Sequence, residues 1–504
     1  MNRTLKFLKN TAAAGLYQFA LMLSGFVLPK VILTYYNSEI NGLVSSITQF
    51  INYITLVEAG LSGASVFALY KPLAESNYKE ISGVVAATKR FYTISGWIFT
   101  AFVIVLAIVY PLLVSTSYMS YWEMLFLVLI IGVNGCVDFF SLGKYRALLT
   151  ADQKQYVISL SSLLYCVLNV AMIGIFAAAG FTVTIARLAA VSAILVRSVI
   201  LNIYCRKHYH YLDYKEKPRT DALNKRWDAL LLQILGTVHS GAPVMLATLF
   251  TSLKEVSVYA VFNMVANGVA SVLGIFTTGV GSGFGDLIVR QDKTALKRAY
   301  SDFEFMYYLF IGFVYSVTAV QIMPFIRLYT DGLNDADYDR LLLGCLFALN
   351  GFLFSIKTPQ GMMVISAGLY KETKYQTITQ AIIAIIGGSI LGYGYGLPGI
   401  LTAMCISNLY RDIDLIFFIP KYVLECSPKD SIINVLLSIV GTGVAVGIGM
   451  AMELPCSTYF HWIFNSVLIC FVAGGVMGIL AFIFRREMLE RSITRVLKII
   501  KKKA

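Results

Sequence analysis

The feature that most limits what this chain can become is the recurrence of long apolar runs. A helix needs about 20 apolar residues to cross the hydrocarbon core of a bilayer. Runs of that length lie at 11–34, 42–70, 84–114, 120–143, 155–178, 182–204, 228–252, 257–289, 303–328, 340–367, 375–392, 397–419, 431–452 and 459–484. Fourteen of them in 504 residues leave no stretch long enough for a water-soluble domain. Composition agrees. Charged residues make up 14% of the chain, whereas a soluble domain needs about 25% to solvate its surface. The expected class is an all-α polytopic membrane protein with about fourteen transmembrane helices.

Charge orients those helices. With the N-terminus in the cytosol, the even-numbered connections and both tails collect 33 of the 41 Lys and Arg residues. The outer connections hold three: Lys254, Arg327 and Arg340. That asymmetry is the positive-inside pattern, and it places both termini in the cytosol. The net charge of +13 is then mostly topology, and nucleic acid is not expected as a partner. The first run, preceded by Arg3, Lys6 and Lys9, continues too far to be a cleaved signal and is read as a retained helix. Run 375–392 is the weakest, thinned by Gly387 and Gly388.

The longest hydrophilic segment, 206–227, divides the expected spans six and seven. It predicts a six-helix bundle at 1–205, a second at 228–420, helices thirteen and fourteen within 421–484, and a basic tail at 485–504. Such halves are common in transporters, and an even number of spans per half predicts a parallel, pseudo-symmetric repeat. Residues 24–96 slid against 240–312 give seven identities in 73 positions at an offset of 216, which barely exceeds chance.

Charge within the bilayer is costly and faces protein or a hydrated cavity. Once the residues at the run ends are assigned to the connections, five basic residues remain inside the spans: Lys30, Arg187, Arg197, Lys357 and Arg411. Lys30 is placed to snorkel outward from span one, and Arg411 has Asp414 three residues on as a local partner. Lys357 precedes Pro359, which bends a helix and frees a carbonyl. Span eight carries Asn263, Asn267, Ser271, Gly274, Thr278, Gly281, Ser282 and Gly285 on one face. That stripe is either close helix packing or a cavity wall. Span seven has Gln233, Thr237 and Ser240 on one face with His239 beside it. Five acids accompany these groups, Glu58, Asp138, Asp286, Asp412 and Asp414, and Glu58 is the deepest. Glu58 either pairs with a cation or binds a coupling proton or Na⁺; His239 is a second candidate because imidazole titrates near neutrality. Several cations inside a bundle suit a phosphate-bearing substrate, since guanidinium grips phosphate oxygens in pairs. A pump for organic cations is expected to carry more acid than base.

No enzymatic constellation emerges. There is no P-loop, no H-E-x-x-H, no C-x-x-C and no G-x-S-x-G, so no cofactor or metal is expected. Energy is expected from a H⁺ or Na⁺ gradient or from the membrane potential.

The segments NSEINGLVSSITQF (37–50), LVEAG (56–60), YRALLTADQKQY (145–156) and VSVYAVFN (256–263) resemble Wzx-type polysaccharide-unit flippases, a branch of the multidrug/oligosaccharidyl-lipid/polysaccharide exporter superfamily. The resemblance covers essentially the whole chain. It implies two six-helix bundles around a cationic central cavity lined by spans one, two, seven and eight, with spans thirteen and fourteen appended. It also implies a substrate: undecaprenyl-pyrophosphate-linked oligosaccharide units, moved from the inner to the outer leaflet by alternating access for O-antigen, capsule or similar surface polysaccharide. Polysaccharide polymerase and glycosyltransferase machinery are the implied partners. The alternatives are a lipid II flippase, a cation-coupled multidrug exporter, or a membrane polymerase or ligase. The last is expected to need a large outer loop, and the longest here has roughly a dozen residues.

Overall fold

The computed structural model of the chain describes residues 3–58, 61–213, 226–277 and 280–501. Among them every regular element is helical. In order these are α1 (Arg3–Tyr35), α2 (Ser38–Ile54), α3 (Leu61–Ala74), α4 (Tyr78–Leu113), α5 (Tyr121–Val137), α6 (Gly143–Ala151), α7 (Gln155–Ala178), α8 (Val183–His208), α9 (Arg226–Phe250), α10 (Leu253–Thr277), α11 (Val280–Val289), α12 (Lys293–Tyr329), α13 (Leu341–Ile356), α14 (Thr358–Ala367), α15 (Lys374–Ile382), α16 (Gly388–Ile419), α17 (Lys429–Ala451) and α18 (Tyr459–Lys501). Short polar side chains start several of them. Asn37 accepts the Ile40 amide at 2.8 Å, and Ser120 and Glu123 exchange bonds at the start of α5, satisfying amides the helix itself leaves open.

Many large apolar side chains lie on the outside, among them Leu112 and Phe471, 70% and 75% exposed. In water such faces would drive aggregation; against lipid they are the wetted surface. Among the described residues twelve helical stretches are long and apolar enough to cross a membrane. Two expected spans fall outside that dozen as separate members. Of the 25-residue α9 the side chains are described from Ile234 on, and Ile234–Phe250 is apolar; runs 375–392 and 397–419 share one 51-residue stretch, Lys374–Leu424.

That stretch folds back on itself. The Ser407 hydroxyl donates to the Gln380 carbonyl at 2.8 Å, whereas 27 residues of straight helix would separate them by about 40 Å. The reversal lies at Gly396, with φ 60° and ψ −140°, backbone that only glycine adopts without strain. Pro398 follows and cannot continue the preceding helix.

The chain divides into two compact units, Met1–Ser257 and Val258–Ala504. The boundary lies beyond the hydrophilic segment 206–227, most of which is outside the described residues. The reason is that α9 packs on α2 in the first unit. The Tyr53 hydroxyl donates to the Val238 carbonyl at 3.2 Å, and Thr248 donates to Ser46 Oγ at 2.8 Å. At the head of α10, Asn41 donates to Ser257 Oγ at 2.8 Å. These residues are 216 apart, the offset of the weak repeat, so equivalent positions touch.

Within each unit the core is rich in tyrosine. Tyr92, Tyr110, Tyr300 and Tyr308 are among the largest fully buried side chains, and each hydroxyl has a partner, as an apolar interior demands.

Candidate functional site

In the first unit the polar residues converge on one arginine. Arg146, in α6, places its Nη2 3.0 and 3.2 Å from the two Glu58 oxygens and its Nη1 3.2 Å from Asp138 Oδ2. The Tyr92 hydroxyl, from α4, donates to Glu58 Oε1 at 2.7 Å. On the far side of Asp138, Arg197 of α8 lies 3.9 Å from Oδ1, and its guanidinium sits 5.8 Å from the Tyr165 ring centroid, within cation–π range. Glu58 is therefore held by a cation, the first of the two roles open to it.

Backbone irregularity builds this site. Run 42–70 is not one helix: Thr55–Glu58 forms a 3₁₀ turn between α2 and α3, and Glu58 closes it. Asp138 opens a π-helical turn, Asp138–Leu142. At 100° per residue, Asp138 and Arg146 would stand about 80° apart on an α-helix; a π turn absorbs about one extra residue and brings them within about 20°. Sequence reasoning placed Arg146 on the cytosolic connection for want of that turn.

Arg187 differs from its neighbours. It lies in α8, with the Tyr165 and Tyr36 hydroxyls as its electrostatic neighbours. Its Nε is buried without a hydrogen-bond partner among the described residues. No carboxylate there pairs with it. Among the described residues Arg146 and Arg197 face the Glu58 and Asp138 carboxylates, and Arg187 has none of its own. Arg187 and Arg197, ten residues apart in sequence, stand about 80° apart around an α-helix, and both act on Tyr165. Lys30 is half-buried in α1. His239, also half-buried, follows Val238, the residue whose carbonyl receives Tyr53. The side chain of Gln233 lies outside the described residues.

At the end of α8, outside the spans, Asp152 receives the Tyr209 hydroxyl at 2.7 Å and faces Lys154 at 2.8 Å. Burial, then that carboxylate, raises the Tyr209 hydroxyl above its ordinary range, and burial pushes neighbouring Tyr211 up to about 12.

In the second unit, run 340–367 breaks at Lys357, between α13 and α14, where Pro359 enters the new helix. The ammonium donates to Asn408 Oδ1 and stands 4.6 Å from the Phe354 ring centroid. Asn408 donates in turn to Asn350 Oδ1 at 2.9 Å and receives Gln380 at 3.3 Å. Asp412, 2% exposed, is the opposite charge that acts on Lys357. Arg411 is committed to Asp414, the local pairing its spacing offered. Both cations therefore have acidic company, which Arg187 lacks. Asn263 is half-buried and Asn267 exposed in α10. Farther along the stripe, the Ser366 hydroxyl donates to the Gly281 carbonyl at 2.9 Å, so α11 packs directly on α14 there. Thr278 and the Ser282 side chain lie outside the described residues.

One buried acid lies outside the five expected within the bilayer. Glu304 lies inside run 303–328, is 2% exposed, and was not counted among the membrane acids. Its place one residue inside the run was the available signal.

No family model and no curated protein sequence matches the chain. Solved structures do. The chain is similar to the lipid II flippase MurJ in an inward closed conformation, at 14% identity over 95% of this chain and 99% of that one, with a TM-score of 0.65. The fold is the one these transporters share. An inward-facing multidrug-resistance MATE family transporter of the MOP superfamily matches at 13% identity over 84% of this chain and 95% of that one, TM-score 0.64. A MOP superfamily transporter from Pyrococcus furiosus, described as having a binding pocket of reverse polarity, matches at 14% identity over 87% and 95%, TM-score 0.59.

Proposed function

We propose that this chain is a flippase, not an enzyme, in a bacterial cytoplasmic membrane. It moves undecaprenyl-pyrophosphate-linked oligosaccharide units to the outer leaflet for surface-polysaccharide assembly. Arg187 carries the reading. A guanidinium inside a helical bundle, without a carboxylate of its own, has donors and charge to offer a pyrophosphate. Arg197, Lys357, Arg411, Lys30, Gln233, Asn263 and Asn267 are the other groups proposed to line the path. The glycan stays in their hydrated surroundings while the polyprenyl tail remains in lipid. Polymerase and glycosyltransferase machinery are its proposed partners, and an ion gradient or the membrane potential its energy source.

A second reading, lipid II transport, shares this chemistry and has a structural neighbour in its favour. Depletion of the protein separates the two: loss of surface polysaccharide with intact cells supports the first, and lysis supports the second. An exporter of organic cations fits less well, because Glu58 and Asp138 are already occupied by arginines.

Purified protein in nanodiscs is expected to bind polyprenyl-pyrophosphate glycan. Arg187→Ala is expected to weaken that binding about 10- to 100-fold, the equivalent of one or two charge-assisted hydrogen bonds. Arg187→Lys, which keeps charge but not the fork, is expected to fall between. Absence of binding by the parent protein, with normal polymer export in Arg187→Ala cells, would sink the reading.

A further inference from the structure

The second unit holds a carboxylate that the proposed transport path does not use. Glu304, in α12, is enclosed by neutral donors. The Tyr300 hydroxyl reaches Oε1 at 2.8 Å, the Gln360 amide reaches the same oxygen at 3.1 Å, and Ser431 Oγ reaches Oε2 at 2.9 Å. Gln360 also donates to the Tyr308 hydroxyl at 2.6 Å. Gln360 is fully buried in α14 and Ser431 nearly so in α17, so three helices close the cage.

Among the described residues no Lys, Arg or His pairs with Glu304. The charged and titratable groups around it are few. Its own helix brings Tyr300 and Tyr308; Asp412 of α16 acts on Tyr308. The α17 side brings Asp430 and, just before that helix, Cys426, which acts on Tyr300. From α18 comes Arg485, which is held by Asp430 at 2.8 Å. From α14 comes Gln360, which is neutral.

One further group faces the carboxyl. Asn434, a turn beyond Ser431 and 2% exposed, approaches Glu304, yet neither its amide nitrogen nor its oxygen completes a hydrogen bond. An asparagine can serve either protonation state. Its oxygen accepts from a protonated carboxyl, and its nitrogen donates to an ionised one. Neutral donors alone leave a buried carboxylate without a countercharge, a cost that a bound proton removes.

We infer that Glu304, with Asn434 as its switching partner, is a proton-binding site in the second unit. The step is a simple transfer: a proton from water reaches a Glu304 oxygen, the carboxylate charge is lost, and the new O–H turns to Asn434 Oδ1. Asp430, whose side chain is 67% exposed, is adjacent to Ser431 and gives the cage a polar route to solvent. Coupling of that proton to transport rests on the flippase reading; the binding itself does not.

The test therefore begins without substrate. Infrared difference spectra of the full chain in lipid, recorded between alkaline and mildly acidic buffer, are expected to show the carbonyl stretch of a newly protonated carboxyl. Glu304→Gln is expected to abolish that band, and Asn434→Leu to shift the pH at which it appears. A band unchanged in Glu304→Gln, or one that follows added Na⁺ rather than pH, would overturn the proposal. Glu304→Gln also mimics the protonated state, so a folded variant is expected; circular dichroism and size-exclusion elution check this. In proteoliposomes, Glu304→Gln is then expected to bind lipid-linked glycan as the parent does and to lose acceleration by an imposed pH gradient. If the band behaves as expected and no glycan binds at all, the transport reading fails while the proton site stands.

Discussion

At the scale of single residues, the first unit is organised by Arg146, which serves two acids at once. Glu58 and Arg146 are 22% and 26% exposed at their side chains, so neither behaves as a fully buried charge. Removing one partner of a buried pair costs about 3–5 kcal/mol, and exposed pairs are worth at most about 1 kcal/mol. Glu58→Gln is therefore expected to destabilise the protein by about 1–3 kcal/mol, because Asp138 still holds the arginine. Thermal unfolding in detergent measures this. A double-mutant cycle with Arg146→Gln should show coupling of the same sign; strict additivity would mean that the contact contributes nothing.

At the scale of helices, three of the charged residues stand where the backbone leaves the α-helix. Glu58 ends a 3₁₀ turn, Asp138 opens a π turn and Lys357 marks the junction of two helices. This explains what the sequence made legible. Apolar length located the spans, and the Pro359 signal located the Lys357 break. Hydropathy carries no sign of a π turn, so Arg146 was placed in a connection and its partnership with Asp138 was hidden. Glu304 was missed for a related reason: one residue from the edge of an apolar run, it looks like a boundary charge until three helices close over it. The same scale yields a packing prediction. A Cβ at Gly42 of α2 would collide with the backbone carbonyl of Leu253, and neither backbone yields easily. Gly42→Ala is expected to cost about 1–3 kcal/mol, the range for overpacking. Gly174→Ala, with open space around it, is expected to be neutral or slightly stabilising. Equal melting temperatures for the two variants would show that α2 can give way.

At the scale of the whole molecule, the apolar runs and the helices correspond closely, while the number of crossings rests on two elements. The Lys374–Leu424 stretch contributes two antiparallel arms rather than one long helix, and α9, 25 residues long, is apolar over its described side chains, Ile234–Phe250. If both cross, there are fourteen crossings and both termini share the cytosolic side. Single cysteines placed near residues 215 and 500 are then expected to react with a membrane-impermeant maleimide only after cells are opened, and one near 335 before. Labelling of either of the first two in intact cells would reverse the assignment. The ion pair in the first unit has a further consequence, one of timing. Glu58 leaves the ribosome 88 residues ahead of Arg146, which at about 5–20 residues per second is roughly 4–18 s. For that interval the carboxylate has no countercharge from α6, so the nascent chain must keep it at the headgroups or carry it neutral. Loss of Arg146 would then be felt first as failed insertion and rapid turnover, before transport is ever attempted.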